Sequence, residues 1–117
     1  DKMVGAYQEA IGHYQRLAQE ASAKNPQATF NFLVLASRCY AEIKEWQSAI
    51  SGYKAIMERF KGKVPMDPIL LEMASIYYKQ LNDKQKAKET LEQLIKEYPK
   101  SRLLRVAEKL LQELNKK

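Results

Sequence analysis

Apolar residues recur at intervals of three and four along nearly the whole chain, and this spacing predicts six amphipathic helices. Helix one, over 3–23, places Tyr7, Ile11, Tyr14, Leu17 and Ala18 on one face. Asn25-Pro26 closes it, because a residue before proline avoids the α region. Helix two, over 28–43, carries Phe32, Leu33, Leu35, Ala36, Cys39, Tyr40 and Ile43, and helix three, over 46–60, carries Ala49, Ile50, Tyr53, Ile56, Met57 and Phe60. The stretch 61–68 holds Gly62, Pro65 and Pro68 among charges and reads as the longest loop, with Asp67 expected to cap helix four and Pro68 at its first position. Helix four, over 68–81, turns Leu70, Leu71, Ala74, Tyr77, Tyr78 and Leu81 inward. Helix five, over 84–97, buries Ala87, Leu91, Leu94 and Ile95 before Pro99. Ser101 is the expected N-cap of helix six, whose Leu103, Leu104, Ala107, Leu110, Leu111 and Leu114 form one stripe. No run of β-branched residues alternates with polar ones, so the expected fold class is all-α.

The pattern also repeats. Leu35-Ala36-Ser37-x-x-Tyr40 followed by Gln47-x-Ala49 returns as Met73-Ala74-Ser75-x-x-Tyr78 followed by Gln85-x-Ala87, at a constant offset of 38 residues. Ala10-Ile11-x-x-Tyr14-x-x-Leu17 lines up with Ala49-Ile50-x-x-Tyr53-x-x-Ile56 at an offset of 39. A period of this order marks an α-solenoid, in which a helical unit cannot bury its own apolar face and stacks on copies of itself. The short side chains of Ala36, Ser37, Ala74, Ser75, Ala49 and Ala87 fall where helix axes approach to about 8 Å, and Tyr40, Tyr53 and Tyr78 fill the wider space beside them.

These residues resemble the tetratricopeptide repeat family, in Leu33, Ala36, Ser37, Tyr40, Ala49, Tyr53 and Ile56 and again in Leu71, Ala74, Ser75, Tyr78, Ala87, Leu91, Leu94 and Pro99. The period exceeds the family's roughly 34 residues, and the surplus fits in the linkers. The resemblance implies one domain over 1–117: an orphan second helix over 3–23, a repeat over 28–60, a repeat over 68–98 and a capping helix over 101–115. Helix one, lacking its first helix, is expected to leave Met3, Tyr7 and Tyr14 partly exposed and to support weak self-association. The phrase Leu94-Ile95-Lys96-Glu97-Tyr98-Pro99-Lys100-Ser101 before a Leu-rich helix is similar to bacterial periplasmic Tol-Pal-associated and outer-membrane-assembly repeat proteins. That similarity implies the bacterial periplasm or envelope, with the cytoplasm as the alternative.

Chemistry is sparse. His13 is the only histidine and Cys39 the only cysteine, so neither a zinc site of four Cys or His ligands nor a serine triad with a choice of base can be assembled. Cys39 lies between Leu35 and Ile43 at helical spacing and reads as a small core residue; the scattered glycines form no phosphate loop, and Glu42 and Glu45 read as solvation. No catalytic residue, cofactor or metal is expected. No segment approaches 18 uncharged apolar residues, so no membrane span is expected. A start at Asp1 without a Met or a signal pattern reads as a trimmed piece of a longer protein.

Charge changes the picture at one end. The net charge is +6, and Arg102, Arg105 and Lys109 share one face of helix six opposite the leucines. Under the repeat register the first helix of each pair lines a concave groove. Its residues are then Asn31, Val34, Arg38 and Glu42 from helix two, Ile69, Glu72, Ile76 and Lys79 from helix four, and Arg102, Arg105 and Lys109 from helix six. An apolar patch of Val34, Ile69 and Ile76 beside a basic end suits a peptide or helix of a protein partner oriented by charge. Chaperone-tail members of the family use a clamp of Lys, Asn and Arg in this groove; Val34, Ile69 and Met73 stand where several of those polar residues would be and disfavour that role. The expected function is a non-catalytic interaction module, an adaptor or assembly factor. Two alternatives stay open: a nucleic-acid-binding helical protein using the basic face, disfavoured because no aromatics are interleaved to stack on bases, and a regulatory domain of a larger enzyme.

Overall fold

The computed structural model describes residues 2–22 and 24–116. It is all-helical among them: α1 (Lys2–Ala21), α2 (Pro26–Glu42), α3 (Trp46–Arg59), α4 (Asp67–Ser75, continuing as a π-helical turn over Ile76–Gln80), α5 (Lys84–Glu97) and α6 (Leu104–Asn115). Residue 23, the expected end of helix one, and Lys117 at the basic terminus lie outside the described residues. The chain forms two compact units, Asp1–Val64 and Pro65–Lys117, and the boundary falls inside the expected longest loop.

In the first unit α1 packs on α2 and α2 on α3, each pair antiparallel because only a few residues join them. Helix α2 starts at Pro26, two residues before its expected start. Asn25 does not end helix one but caps α2, its Oδ1 accepting from the Ala28 N–H at 3.0 Å, and Pro26 supplies a first-turn position that needs no N–H donor. Buried Thr29 donates its hydroxyl to the Asn25 carbonyl at 3.1 Å and thereby stays satisfied. Ile11, Ala36 and Cys39 form a cluster between α1 and α2, with Tyr7, Ala10, Tyr14, Tyr40 and Ile43 packed against it. Tyr7 and Tyr14 are thus half-buried on α2, while Met3 is 65% exposed. Phe30 meets Phe60 edge to face at 5.5 Å between centroids.

Close approach of α2 and α3 is set by a residue the repeat pattern did not single out. A Cβ on Gly52 would clash with the Ser37 hydroxyl and stand 3.3 Å from its Cβ. Gly12, in contrast, has nothing within 4 Å of that position. Opposite effects are therefore expected. Gly52→Ala should destabilise by about 1–2 kcal/mol through overpacking, with Ser37→Ala restoring part of the loss. Gly12→Ala should stabilise by roughly 0.5–1 kcal/mol by removing glycine's chain entropy from a helix interior. Urea midpoints of the three variants check this, and the same sign for both glycines would contradict the crossing geometry.

The second unit packs α4 and its π turn on α5, and α5 on α6. Three local expectations are corrected here. Asp67 lies inside α4 rather than capping it, and its carboxylate accepts from the Ser101 hydroxyl. Ser101 is not the N-cap of α6, which starts three residues later; its Oγ accepts from the Leu103 N–H at 3.0 Å in a turn before the helix. Helix four is not α-helical to its end, since Ile76–Gln80 widens into a π turn. The Met66 N–H donates to the Tyr98 hydroxyl at 3.1 Å, which ties the entry of α4 to the exit of α5. On α6 Ala107 and Leu114 are buried, Leu103, Leu104, Leu110 and Leu111 are half-buried at its edges, and Val106 is 51% exposed.

The two units share a backbone device. Lys44 (φ 63°) and Asn82 (φ 51°), 38 residues apart, both take the left-handed conformation in the turn between paired helices. Ala49 and Ala87 are both fully buried on the helices that follow.

Candidate partner-binding faces

The eleven residues expected to line a groove divide between the units, Asn31, Val34, Arg38 and Glu42 in the first and the other seven in the second. Their environments separate by chemistry. Val34, Ile69 and Ile76 are only 7%, 2% and 8% exposed, so the expected apolar patch belongs to the interior and offers no open surface. Met73 is buried as well. Asn31, Arg38, Glu42, Lys79, Arg102, Arg105 and Lys109 are exposed, and Glu72 is half-buried. Asn31 accepts from the Gln27 side-chain amide one turn earlier at 3.1 Å.

The π turn explains part of this difference. Regular α-helical spacing from Ile69 puts Ile76 two turns on along the same stripe, but the wider turn rotates the residues that follow relative to the start of α4. Ile76 and Tyr77 are buried, and Lys79 and Gln80 emerge into solvent. Lys86, from the first turn of α5, lies with its ammonium 5.8 Å from the Tyr77 ring centroid.

A shallow depression of about 450 Å³ between α2 and α3, lined by Tyr40, Gln47, Ser48, Ser51 and Gly52, was not foreseen. The sequence signal was the set of small residues Ser48, Ser51 and Gly52 along helix three. Cys39 is buried, and burial first, with the Glu42 charge second, pushes its thiol up and away from the reactive thiolate. His13 is exposed, its ring 6.2 Å from that of Tyr14. Among the described residues no group of three or more His, Cys, Asp or Glu is placed to hold a metal ion, and no helix is long and apolar enough to cross a membrane.

Paired helices, a left-handed turn recurring at a fixed offset and buried alanines at equivalent positions define a helical-repeat protein. Residues 69–101 match the family model of the tetratricopeptide repeat, a segment that takes in nearly all of α4, the π turn and α5. No curated protein and no solved structure matches the chain significantly.

Proposed function

We propose that the chain is a non-catalytic protein-interaction module, an adaptor or assembly factor that holds a peptide or helix of a partner along the first helices of its repeats. The observation carrying this reading is the tetratricopeptide match over 69–101, since repeats of that kind serve as binding surfaces built on stacked helices. With Val34, Ile69 and Ile76 inside, contact falls to the polar members of the set: Asn31, Arg38 and Glu42 in one unit, Glu72, Lys79, Arg102, Arg105 and Lys109 in the other. Charge then orients the partner more than apolar burial does. The phrase Leu94 to Ser101 supports a place among bacterial envelope assembly proteins, and exposed Met3 supports weak self-association through α1.

The test is affinity capture, reduction of the captured partner to its binding segment, and titration of that segment against the chain. Joint Arg105→Glu and Lys109→Glu should weaken binding about tenfold, or 1.4 kcal/mol, with an unchanged melting temperature. Titrations with duplex DNA and single-stranded RNA run in parallel. Tight nucleic-acid binding with log affinity falling by about 0.9 per phosphate against log salt, and no protein segment bound, would replace this reading with the nucleic-acid one.

A further inference from the structure

We infer that the partner segment is acidic and that its main anchor is a lysine cluster at one end of the second unit, where α5 begins; this deepens the interaction reading and rests on it. Antiparallel packing of α4, α5 and α6 brings the first turn of α5 beside the last turns of α4 and α6. Lys79 leaves the π turn there, Lys84, Lys86 and Lys88 occupy the start of α5, and Lys116 follows α6. All but Lys88 are exposed.

Two of these charges stand where helix physics disfavours them. The first turn of α5 contains no acidic residue, and Lys84 and Lys86 face the positive end of its macrodipole. The acids at this end are fewer: Asp83 caps α5, its carboxylate accepting from the backbone N–H of Lys86 at 3.1 Å, Glu89 accepts from the Gln85 amide at 3.0 Å, and Glu113 stands in the last turn of α6. Five lysines against three acids leave this end of the unit positive, and an anionic partner relieves that charge.

The chemistry of the site selects among anions. A single-stranded nucleic acid would want exposed aromatic faces to stack its bases, but at this end Tyr77 is buried and Tyr78 half-buried. A membrane surface would want an apolar wedge, and the exposed large apolar residue of this unit, Val106, lies at the opposite end of α6. Flexible lysines without a planar fork suit a run of Glu or Asp side chains, each met as a point charge. Lys79 belongs both to this cluster and to the first-helix face, so one segment can run from the face onto the anchor.

The experiment compares the intact chain with two double variants, Lys84→Glu with Lys86→Glu and Arg102→Glu with Arg105→Glu. Each is titrated with a fluorescent oligo-glutamate peptide, with phosphatidylcholine vesicles containing phosphatidylserine, and with a short DNA duplex. The intact chain should bind the peptide more tightly than the vesicles or the duplex. Reversal at Lys84 and Lys86 should weaken that binding at least about tenfold, and reversal at Arg102 and Arg105 markedly less. The lysine variant should melt at no lower a temperature, because carboxylates in the first turn of α5 favour the helix dipole and the Lys86→Glu change can complete a capping box with Asp83, which together offset the lost Lys86–Tyr77 contact; loss of binding then cannot be misfolding. A larger effect of the arginine pair would overturn the anchor and leave the interaction module standing. Tighter binding to vesicles or duplex, or no binding to the peptide, would overturn the acidic partner.

Discussion

Replacing Ile76 by aspartate is expected to unfold the second unit instead of selectively weakening a partner. Ile76 is 8% exposed within the π turn of α4. Loss of a buried isoleucine side chain costs about 2–5 kcal/mol, and an unpaired carboxylate adds its desolvation. A total above about 3 kcal/mol is large for any single substitution, and larger still for a unit stabilised by roughly 0.05–0.15 kcal/mol per residue. Lys79→Asp, three residues on and exposed, should shift stability by no more than about 0.5 kcal/mol. Urea denaturation followed by circular dichroism separates the two. Similar midpoints would mean that Ile76 faces solvent and that an apolar groove is available after all.

Ala87→Leu is expected to cost about 1–3 kcal/mol, because Ala87 is fully buried on α5 and three added heavy atoms have no space to enter. Ala49→Leu should behave alike in the first unit, where the equivalent alanine is also fully buried. The control is Lys86→Leu, one residue earlier and exposed, which should cost far less. Equal midpoints for Ala87→Leu and Lys86→Leu would remove the basis for aligning the two repeats at 38 residues.

Local periodicity and punctuation determined which segments are helical, and the reason is physical. A face of apolar residues every three or four positions can be buried only as a helix, and residues such as Asn25 with Pro26 or Asp83 act through backbone geometry within four residues of themselves. The repeat was legible for the same reason: Ala49 and Ala87 must be small wherever helix axes cross closely. Even the shared left-handed turn at Lys44 and Asn82 follows the offset read from side chains, although lysine gave no hint of a positive φ.

Tertiary structure alone decided what spacing cannot express. Whether Val34, Ile69 and Ile76 line a groove or fill a core depends on which neighbour covers them, and a helical wheel assigns the same stripe in both cases. The π turn at Ile76–Gln80 re-aims everything after it without leaving a mark in the apolar periodicity. Ser101 had the chemistry of a cap, but its hydroxyl was drawn to Asp67, 34 residues away, and α6 began later. Gly52 read as a scattered glycine until the Ser37 side chain of the neighbouring helix showed why no Cβ fits there. The lysines of α5 carry no signal in the sequence alone, and only antiparallel packing sets them beside Lys79 and Lys116. The chain's own sequence thus determined its helices and their repeat, because those depend on contacts within a few residues; which faces stay open to a partner was decided by contacts that only folding brings together.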